Sequence, residues 1–542
     1  MPAWNFANIW EIAADNLPDA EALAHGSRRI LWKDFDKRAD GIARTLLERG
    51  AMQQDKVAQY LYNSPEYMES MFACFKAGLV PVNTNYRYAD DELVYLWDNA
   101  DAVAVVFHGS FVERIEGIKD SLPKVQTWLW VDDESGECPA WAIPYEQAAA
   151  TETDRVIPPW GRGDDDLLFM YTGGTTGMPK GVMWRQESLI RAVVAATNAF
   201  FHEPATEENY AQLRKDLVMP GVRQLPGCPQ MHGTGQFTCF ITLSSGGCVV
   251  TLDNRSFDVE EMLDVVEAEK IGMLVIVGDA FGKPMVKALD ANPGRWDLTS
   301  LWLITSSGVM WSQETKDALL KHNGGMMLID AFSSSEAIGL GQSVSSAGGS
   351  SGTAKFVLGD NSRVITDEGI DVVPGSGEIG RVAVRGHTPV GYYKDPEKSA
   401  STFVLIDGDT YSIPGDYAQV EADGALTLLG RGSVCINTGG EKVFPEEVEE
   451  VLKLHPAVLD SVVVGLPDDK FGQAITGVVE LRDTETAEAN DLIAHVKGKL
   501  ASFKAPKSVV FIDTIGRAAN GKVDYKRMTR YAADELGVDL PS

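Results

Sequence analysis

The sequence lacks the features that would place it in a membrane or outside the cell. No stretch approaches the run of about 20 apolar residues that a membrane-spanning helix needs, so we expect no stable membrane insertion. The first residues, MPAWNFANIWEIAADNLPDA, include acids and no apolar run behind a basic segment, and therefore predict no signal peptide. The six cysteines form no CxxC pair, which favours free thiols in a reducing compartment. Together these absences predict a cytoplasmic protein.

Positive charge is also scarce. The chain has 48 Lys and Arg against 78 Asp and Glu, a formal net charge of -30. Such a charge repels nucleic-acid backbones and anionic membranes at long range, so we expect no nucleic-acid partner. The acidity by itself is typical of a soluble surface and indicates no particular function.

The length and the apolar patterning predict an α/β protein with more than one domain. A chain of 542 residues exceeds what one hydrophobic core supports. Apolar residues at helical spacing in FANIWEIAADNL and SPEYMESMFACFKAG predict helices, the second ended by Gly78. AVAVVF (Ala102 to Phe107), TWLWV, LLFMYT, CVVTL, MLVIVG and LWLITSSG predict short buried strands. Strands that alternate with helices favour mostly parallel pairing.

Two changes of pattern along the chain predict the domain organisation. From Val357 onward, short strands and turns predict a β-rich subdomain. Near Arg431 the chain changes again to a helix followed by a strand, and the remaining residues are enough for a small domain. We therefore predict a large domain at 1–432 and a small C-terminal domain at 433–542.

The stretch YTGGTTGMPKGVMW, Tyr171 to Trp184, has four glycines, three threonines and one lysine, a composition that predicts an irregular loop. It is not a Walker A motif, because Lys180 follows Pro179 and precedes Gly181. Small residues, hydroxyls and a cation nevertheless suit phosphate binding. A surface turn is the alternative, although a turn does not need the threonines and the lysine together.

The stretch resembles the phosphate loop of the adenylate-forming superfamily, which includes acyl-CoA synthetases, luciferases and peptide-synthetase adenylation domains. Further matches in the family's order span nearly the whole chain. The resemblance implies a large composite N-terminal domain, with two α/β layered subdomains and a β-rich subdomain, and a small mobile α+β C-terminal domain. It assigns the β- and γ-phosphates of ATP to Thr172, Gly173, Gly174, Thr175, Thr176, Gly177 and Lys180.

DAFSSSEAIG resembles the family segment that contacts nucleotide and metal. Glu336 stands where the family's glutamate helps to hold Mg²⁺, and Ser333 replaces the usual glycine. The resemblance places the nucleotide near this segment and near TSSGVM, where Gly308 allows a flat ring to approach closely. The nucleotide-binding residues implied here are Ser307, Gly308, Asp330, Ala331, Phe332 and Ser335.

Two later segments complete the nucleotide assignments. YSIPGDYAQVEADGALTLLGRGS resembles the ribose-binding segment and places Asp416 on the ribose hydroxyls and Arg431 near ribose and phosphate. IGRAANGKVDYKRM resembles the segment of the adenylation lysine, which falls on Lys522, with Ala518 in place of the usual threonine. Each residue alone fits an ordinary surface or turn position, and their joint order carries the assignment.

The remaining matches concern the acid and the thiol. PQMHGTGQFTCF resembles the segment that lines the acyl pocket, with His232 beside the carboxylate end of the acid. A structural histidine is an equally good interpretation. In the family the small domain rotates between two reactions, and its hinge position falls on Ser433 here, without the usual charge. Gly439 and Gly440 suit a place where the thiol arm passes close to the backbone, or a simple turn.

The resemblance implies an acyl-CoA synthetase that uses ATP, Mg²⁺ and coenzyme A and acts on a small-molecule carboxylic acid. GGTTGMPKGVMWR and PVGYYKD are most similar to actinobacterial synthetases of fatty acids or sterol side chains, which predicts a hydrophobic acid. The alternatives are acyl transfer to a carrier protein, a nucleotide-binding homologue without catalysis, and a luciferase-type oxidation. A homodimer is expected only because symmetric dimers are common.

Overall fold

The structure is a computed structural model that describes residues 3–174, 177–195, 198–309, 311–347, 355–438, 441–468, 472–500, 502–518 and 521–540. The chain divides into two compact units. The first unit comprises Met1–Thr353 with Val384–Ser412, and the second comprises Ala354–Ala383 with Ile413–Ser542. The domain boundary between 432 and 433 stays a prediction.

The helices of the described residues are distributed over both units. They are α1 (Phe6–Asn16), α2 (Trp32–Glu48), α3 (Pro65–Ala77), α4 (Asp90–Asn99), α5 (Val112–Ile118), α6 (Tyr145–Ala149), α7 (Gln186–Leu189), α8 (Glu207–Asp216), α9 (Gly233–Ser244), α10 (Val259–Ala268), α11 (Asp279–Ala291), α12 (Gln313–His322), α13 (Pro396–Thr402), α14 (Pro445–Lys453), α15 (Ala489–Lys497) and α16 (Tyr525–Leu536).

Most strands in the first 330 residues alternate with these helices, whereas the described residues between 327 and 392 and between 403 and 443 contain successive strands with no α-helix between them. They are β1 (Glu21–His25), β2 (Arg28–Leu31), β3 (Lys56–Tyr60), β4 (Val80–Asn83), β5 (Ala102–His108), β6 (Thr127–Val131), β7 (Ile143–Pro144), β8 (Leu167–Gly174), β9 (Gly177–Arg185), β10 (Arg223–Pro226), β11 (Cys248–Thr251), β12 (Met273–Ile276), β13 (Leu303–Ser307), β14 (Met327–Ser334), β15 (Ala337–Ser345), β16 (Lys355–Leu358), β17 (Ser362–Ile365), β18 (Ile379–Arg385), β19 (Gly391–Tyr392), β20 (Phe403–Ile406), β21 (Asp409–Ser412), β22 (Asp416–Val420), β23 (Leu426–Arg431), β24 (Ile436–Thr438), β25 (Glu441–Val443), β26 (Val458–Asp468), β27 (Gly472–Leu481) and β28 (Ser508–Phe511).

Two layered sheets organise the first unit. One has the order β2-β1-β11-β10-β12-β13-β14-β15, and the other has the order β19-β9-β8-β4-β3-β5-β6-β7. The inner strands pair in parallel in both sheets, whereas β14–β15, β8–β9 and β9–β19 are antiparallel. The predicted α/β class with mostly parallel strands is confirmed. The carboxyl ends of parallel strands are where such sheets bind ligands.

Helix α3 shows how the sequence specifies these elements. Pro65 occupies the first turn, where its missing N–H costs nothing, and Gly78 ends the helix with a left-handed φ of 66°. All residues of α3 are buried, because the helix lies inside the unit and not at its surface. Its charges are paired: Nζ of Lys76 lies 2.9 Å from Oε1 of Glu11.

An aromatic cluster joins α1, α3 and α9. The ring centroid of Trp10 lies 5.7 Å from that of Phe75 and 5.8 Å from that of Phe240. The first contact is edge-to-face and the second is tilted, and aromatic pairs of this kind stabilise beyond their buried area. The cluster holds α9, which belongs to the segment predicted to line the acyl pocket, against the helices that precede it in sequence.

The second unit combines a β-rich part with an α+β part, whereas the sequence predicted the β-rich subdomain as part of the large domain at 1–432. Strand β22 pairs with β18 and β23 in antiparallel fashion, and β23 also pairs with β16. A further sheet has the order β25-β24-β27-β26, with β28 parallel to β27. Its core is formed by residues of these strands with α14 and α15.

The six cysteines, all in described parts of the chain, form no disulfide, as predicted, and four of them are buried. Burial raises the pKa of the Cys239 thiol to about 12, so this thiol stays protonated and unreactive at neutral pH. No helix within the described ranges has the length and apolar character to cross a membrane.

Candidate nucleotide and acyl site

The glycine-rich stretch is mostly a β-hairpin, so the prediction of an irregular loop was wrong. Strand β8 continues to Gly174 and β9 begins at Gly177, with Thr172 paired to Lys180 and Gly174 to Gly177. Tertiary pairing overrides local composition here, because β4 borders β8 and β19 borders β9. Thr175 and Thr176 lie outside the described residues, and only the backbone of Gly173, Gly174 and Gly177 is described.

The ring of Tyr171 packs against Gly181 of the hairpin and requires a glycine there. A Cβ on Gly181 would lie 2.6 Å from Cε2 of Tyr171, so the ring occupies the space that any larger residue would need. The Tyr171 hydroxyl donates a hydrogen bond of 2.6 Å to Oδ1 of Asn99. Burial raises the pKa of the phenol, which therefore stays protonated. Tyr171 is thus held at the base of the hairpin by its ring, which packs against Gly181, and by the hydrogen bond of its hydroxyl.

Lys180, the cation of the hairpin, forms an ion pair with Asp395. Asp395 is also the N-cap of α13, and its Oδ1 accepts a hydrogen bond of 3.0 Å from the backbone N–H of Lys398. The hydrogen bond from Lys180 lowers the pKa of the Asp395 carboxyl. The Lys180 side chain is 42% exposed, which leaves its ammonium group accessible to a phosphate.

A single backbone segment brings Lys180 and Glu336 to the same region. Residues 390–393 run along β9: the N–H of Val390 donates to Met183 and the N–H of Tyr393 donates to Gly181, each at 2.8 Å. Tyr392 lies in this segment, and its hydroxyl donates a hydrogen bond of 2.9 Å to Oε1 of Glu336. The hairpin predicted to bind phosphate and the predicted metal ligand are therefore joined through one stretch of chain.

Glu336 lies in the turn between β14 and β15. The neighbouring carbonyl of Ser335 accepts a hydrogen bond of 2.9 Å from Nε1 of Trp184, at the far end of β9. The carbonyl of Glu336 itself accepts one of 2.6 Å from Oγ of Ser412. These two bonds fix the backbone on which the carboxylate is carried, and Tyr392 orients the carboxylate itself.

The predicted nucleotide and acyl segments come together at the carboxyl ends of the parallel strands. Gly308 follows β13 with a left-handed φ of 96°, and a Cβ there would lie 3.8 Å from Oγ1 of Thr234. A Cβ on Gly233 would lie 3.9 Å from Oγ of Ser335. His232 is the N-cap residue of α9, immediately before Gly233. The segments of Gly308, His232 and Ser335 thus share one small region.

The DAF residues on β14 differ in their surroundings. Asp330 pairs with Ser306 and Ala331 with Ser307 in the register of β13 and β14. The Asp330 carboxylate is buried, and its Oδ2 lies 3.4 Å from Nζ of the buried Lys316. Phe332 is buried, whereas Ala331 is half-buried. The carboxylate of Asp330 therefore has a structural partner, and its nucleotide role stays a prediction.

The predicted ribose residues belong to the second unit. Asp416 begins β22, is buried, and pairs in register with Arg431 at the end of β23. The Arg431 side chain lies outside the described part. A Cβ on the next residue, Gly432, would lie 2.5 Å from Cε2 of Tyr417, so close ring packing requires this glycine. The hinge prediction at Ser433 stays a prediction, and Gly439 and Gly440 are outside the described residues.

Lys522 is an exposed residue on a loop with a fixed base. Its carbonyl accepts a hydrogen bond of 2.9 Å from the N–H of Ala518, and Gly521 has a left-handed φ of 71°. Arg517 anchors the loop through two hydrogen bonds to Asp460, at 2.6 and 2.9 Å. The turn therefore presents the Lys522 side chain to solvent from a well-supported backbone.

Several residues of the site were missed in the sequence. Tyr392 and Asp395 lie in PVGYYKD, whose resemblance to known synthetases predicts no role for either residue, and the sequence predicts no role for Ser412 or Trp184. The sequence signal that could have identified Tyr392 and Asp395 is the presence of polar side chains in a segment that matches the family, here a tyrosine and an aspartate in a turn. Their partners are remote in sequence, and only the fold shows them.

Comparison with known families covers most of the chain. Residues 10–393 match the family model described as AMP-binding enzyme, and residues 447–522 match the model described as AMP-binding enzyme C-terminal domain. The first match includes the hairpin, Glu336 and the Tyr392 segment, and the second ends at Lys522.

Individual relatives align over nearly their full length. The chain is 39% identical over 547 residues to 3-oxocholest-4-en-26-oate–CoA ligase of Rhodococcus rhodochrous, with 99% of this chain and 96% of that protein covered. It is 38% identical over 529 residues to a medium/long-chain-fatty-acid–CoA/3-oxocholest-4-en-26-oate–CoA ligase of Mycolicibacterium smegmatis, with 97% and 96% covered. A crystal structure of the anthranilate CoA ligase AuaEII with anthranoyl-AMP matches with a TM-score of 0.83 over 99% of each chain, and at 21% identity it supports the fold alone.

Proposed function

The chain belongs to the AMP-binding enzyme family, and on this premise we propose that it is an ATP-dependent acyl-CoA synthetase for a bulky hydrophobic acid. The proposed substrates are sterol side-chain acids and medium- or long-chain fatty acids. The observation that carries the proposal is the alignment with ligases of these acids over 99% and 97% of the chain. Acid–thiol ligation of the AMP-forming class follows from the same relatives.

The first proposed reaction joins the acid to AMP. A carboxylate oxygen forms a bond to the α-phosphorus of ATP, the bond from that phosphorus to the bridging oxygen breaks, and pyrophosphate leaves with the electron pair. Both reactants are anions, so cations must be in position before the reaction. Lys180 suits this task, because a phosphate can replace Asp395 as the anionic partner of its ammonium group. The buried part of the cation is then never without a negative charge beside it.

Glu336 is the proposed protein ligand of Mg²⁺. Mg²⁺ is commonly held by one or two carboxylates together with substrate phosphates. Within the described part of the chain, no group of three or more His, Cys, Asp and Glu side chains forms a metal cage, so a single carboxylate with phosphates is the arrangement that fits. When bound, the metal would neutralise phosphate charge. Tyr392 keeps the Glu336 carboxylate oriented through its hydrogen bond.

Lys522 is the proposed cation that bridges the acid carboxylate and the α-phosphate. Its exposed side chain and anchored loop suit a residue that must meet a substrate and not pack in a core. We also propose that the small domain at 433–542 moves between the two reactions, with Gly439 and Gly440 beside the pantetheine arm. In the second reaction the thiolate sulfur attacks the acyl carbon, the carbon–oxygen bond to AMP breaks, and AMP leaves.

The proposed acyl pocket begins at the start of α9. Gly233 and Gly308 leave space beside Ser335 and Thr234, where the reacting carboxylate would lie next to the nucleotide. Phe237 follows one turn later and is largely buried, and it supplies an apolar wall. His232, directly before the helix, is the proposed contact of the carboxylate end. Small residues next to apolar walls are typical of sites for large flat or extended ligands.

The test is pyrophosphate release by the full chain with ATP and Mg²⁺, with and without CoA. The acids are 3-oxocholest-4-en-26-oate, dodecanoate, hexadecanoate, benzoate and acetate. We expect release and thioester formation with one or more of the first three. Release without a CoA thioester, but with acyl transfer to a carrier protein, would replace the proposal by the carrier-protein alternative. No release with any acid would favour a homologue without catalysis.

A further inference from the structure

One buried amide connects the nucleotide hairpin with the acyl segment. Asn83 is the last residue of β4 and is 3% exposed. Its Nδ2 donates hydrogen bonds of 2.9 Å to the carbonyl of Tyr171 and of 2.7 Å to the carbonyl of Met231. Its Oδ1 accepts a bond of 2.6 Å from the N–H of Tyr171. A single side chain thus bonds the backbone of two distant segments.

The position of these bonds in the sheet explains the first contact. Strand β4 runs parallel to β8, with Val82 in register with Phe169. Strand β4 ends at Asn83, while β8 continues through Tyr171. The amide group has the same donor and acceptor as a peptide, so it replaces the next backbone pair of the ladder. Without it, both the N–H and the carbonyl of Tyr171 would be buried on this side with no partner.

The chain positions of the contacted residues point to the site. Tyr171 immediately precedes Thr172, the first residue assigned to phosphate, and Met231 immediately precedes His232, assigned to the acid. The first segment belongs to the sheet of β8, and the second follows β10 in the other sheet. Asn83 therefore lies where the relative position of two substrate-binding segments is set.

We propose that Asn83 is a positioning residue that holds the phosphate hairpin and the His232 segment in register with each other, and so couples the binding of ATP and acid. The inference rests on the proposed function of the two segments. Asn83 touches neither substrate in this role. It acts through the backbone of Tyr171 and Met231, since an error of about 1 Å between reacting groups is enough to cost roughly 100-fold in rate.

Two other asparagines provide matched controls. Asn323 makes the same set of bonds, donating to the carbonyls of Leu298 and Leu301 at 2.8 and 2.9 Å and accepting from the N–H of Gly325 at 2.9 Å. None of these partners belongs to the site. Asn63 donates to the carbonyl of Cys228 at 3.0 Å and accepts from the N–H of Gln230 at 2.7 Å. It supports the acyl segment alone.

The first measurement is acid-dependent exchange between ATP and pyrophosphate, compared with thioester formation from supplied acyl adenylate. For Asn83→Ala we expect exchange kcat/KM to fall by about 100-fold, with thioester formation reduced by less than about 3-fold. Asn323→Ala should lower both activities equally and slightly. Asn63→Ala should raise the KM for the acid and leave that for ATP unchanged. Equal losses of both activities in Asn83→Ala would overturn the proposal.

The second measurement needs no turnover. Calorimetry gives the affinity for dodecanoate with and without a non-reactive ATP analogue and Mg²⁺. In the wild-type chain we expect the analogue to tighten acid binding by at least about 5-fold. In Asn83→Ala this factor should fall to about 1, whereas Asn323→Ala should retain it. An unchanged factor in a folded Asn83 variant would refute the coupling.

A second variant, Asn83→Asp, provides a test if Asn83→Ala does not fold. Asn83→Asp keeps the size and the acceptor for Tyr171 but loses both donors when it is ionised. Protonation restores one donor, so its exchange rate relative to the wild type should rise as the pH falls. A ratio that is constant with pH would count against the proposal. Wild-type exchange tests the proposed function separately: if it is absent with every acid, that function fails, and the calorimetric factor still decides the coupling.

Discussion

The hydroxyl of Tyr392 donates a hydrogen bond of 2.9 Å to Oε1 of Glu336, across 56 positions of sequence. Three residues after Tyr392, at the N-cap of α13, Asp395 forms an ion pair with Lys180. The proposed metal ligand and the cation of the hairpin are therefore positioned by one stretch of backbone that pairs with β9. A change at either end of this stretch is expected to affect the adenylation step.

Replacing Glu336 by glutamine should slow that step. Glutamine keeps the acceptor for Tyr392 but loses the charge that would bind Mg²⁺, so we expect pyrophosphate release to fall by about 10- to 100-fold at limiting Mg²⁺ and to recover partly when Mg²⁺ is raised. The exposed Glu397, on α13, provides Glu397→Gln as a control. An unchanged rate of Glu336→Gln at limiting Mg²⁺ would contradict the metal role.

Replacing Asp395 by asparagine should increase the affinity for ATP, whereas a simple loss of function would decrease it. Asparagine still caps α13 but no longer competes with phosphate for Lys180. A partly exposed ion pair contributes about 0.2–1 kcal/mol, so we expect the KM for ATP to decrease by up to about 5-fold. Initial rates at varied ATP measure this change. Lys180→Ala should raise the same KM, and a rise in both variants would show that Asp395 positions Lys180 and does not compete with ATP.

Replacing Lys522 by alanine should separate the two reactions. We expect adenylation to fall to background, because no other cation is assigned to the acid carboxylate and the α-phosphate. Thioester formation from supplied acyl adenylate should be preserved, since that step proceeds without pyrophosphate departure. Lys526, exposed on the nearby α16, gives the matched control Lys526→Ala. Equal loss of both reactions in Lys522→Ala would refute the assigned role.

The buried cluster around Lys76 should make stability depend on pH. Burial alone raises the pKa of Glu11, but hydrogen bonds and charges from Arg162 and Lys76 outweigh it and lower the pKa from 4.5 to about 2. A lowered pKa in the folded state contributes stability that is present above pH 4.5 and lost as the pH falls toward 2. Glu11 therefore contributes stability across the neutral and weakly acidic range.

Glu11→Gln tests this directly. We expect a loss of about 3 kcal/mol at pH 7, from the size of the pKa shift, and a smaller difference from the wild type at pH 3. Urea unfolding followed by tryptophan fluorescence measures this difference in the free energy of unfolding, since Trp10 neighbours Glu11 in α1. Glu48→Gln, at the exposed end of α2, should change the midpoint little. A difference independent of pH would exclude the charge explanation.

Periodicity in the sequence predicted the elements that local residues determine. Helix α3 is one case, because its apolar pattern, Pro65 and Gly78 specify its course without reference to the rest of the chain. The hairpin of β8 and β9 is the opposite case. Its glycines favour a loop, and strand structure arises because β4 pairs with β8 and because β19, about 200 residues later, pairs with β9. Contacts of such separation leave no periodic signal.

For the site, too, the sequence predicted the residues that lie in recognisable local patterns and not their partners from distant parts of the chain. Matched motifs predicted roles for Glu336, Lys180 and His232, because their residue types suit charged substrates, and these roles stay predictions. The partner that orients Glu336 could not be found in this way, since a tyrosine in a turn has no distinctive pattern. The burial of Asp330 against Lys316 was likewise invisible, because both belong to elements whose packing faces depend on the neighbouring strands.

The division of the chain into two units limits how the gene can be shortened. Residues 384–412 belong to the first unit, although segments of the second unit precede and follow them in sequence. A fragment that stops at 353 would omit Tyr392, Asp395 and Ser412, and with them the groups that hold Glu336 and Lys180. A fragment that reproduces the first unit therefore has to be made by joining 3–353 to 384–412 with a linker, and not by placing a stop codon.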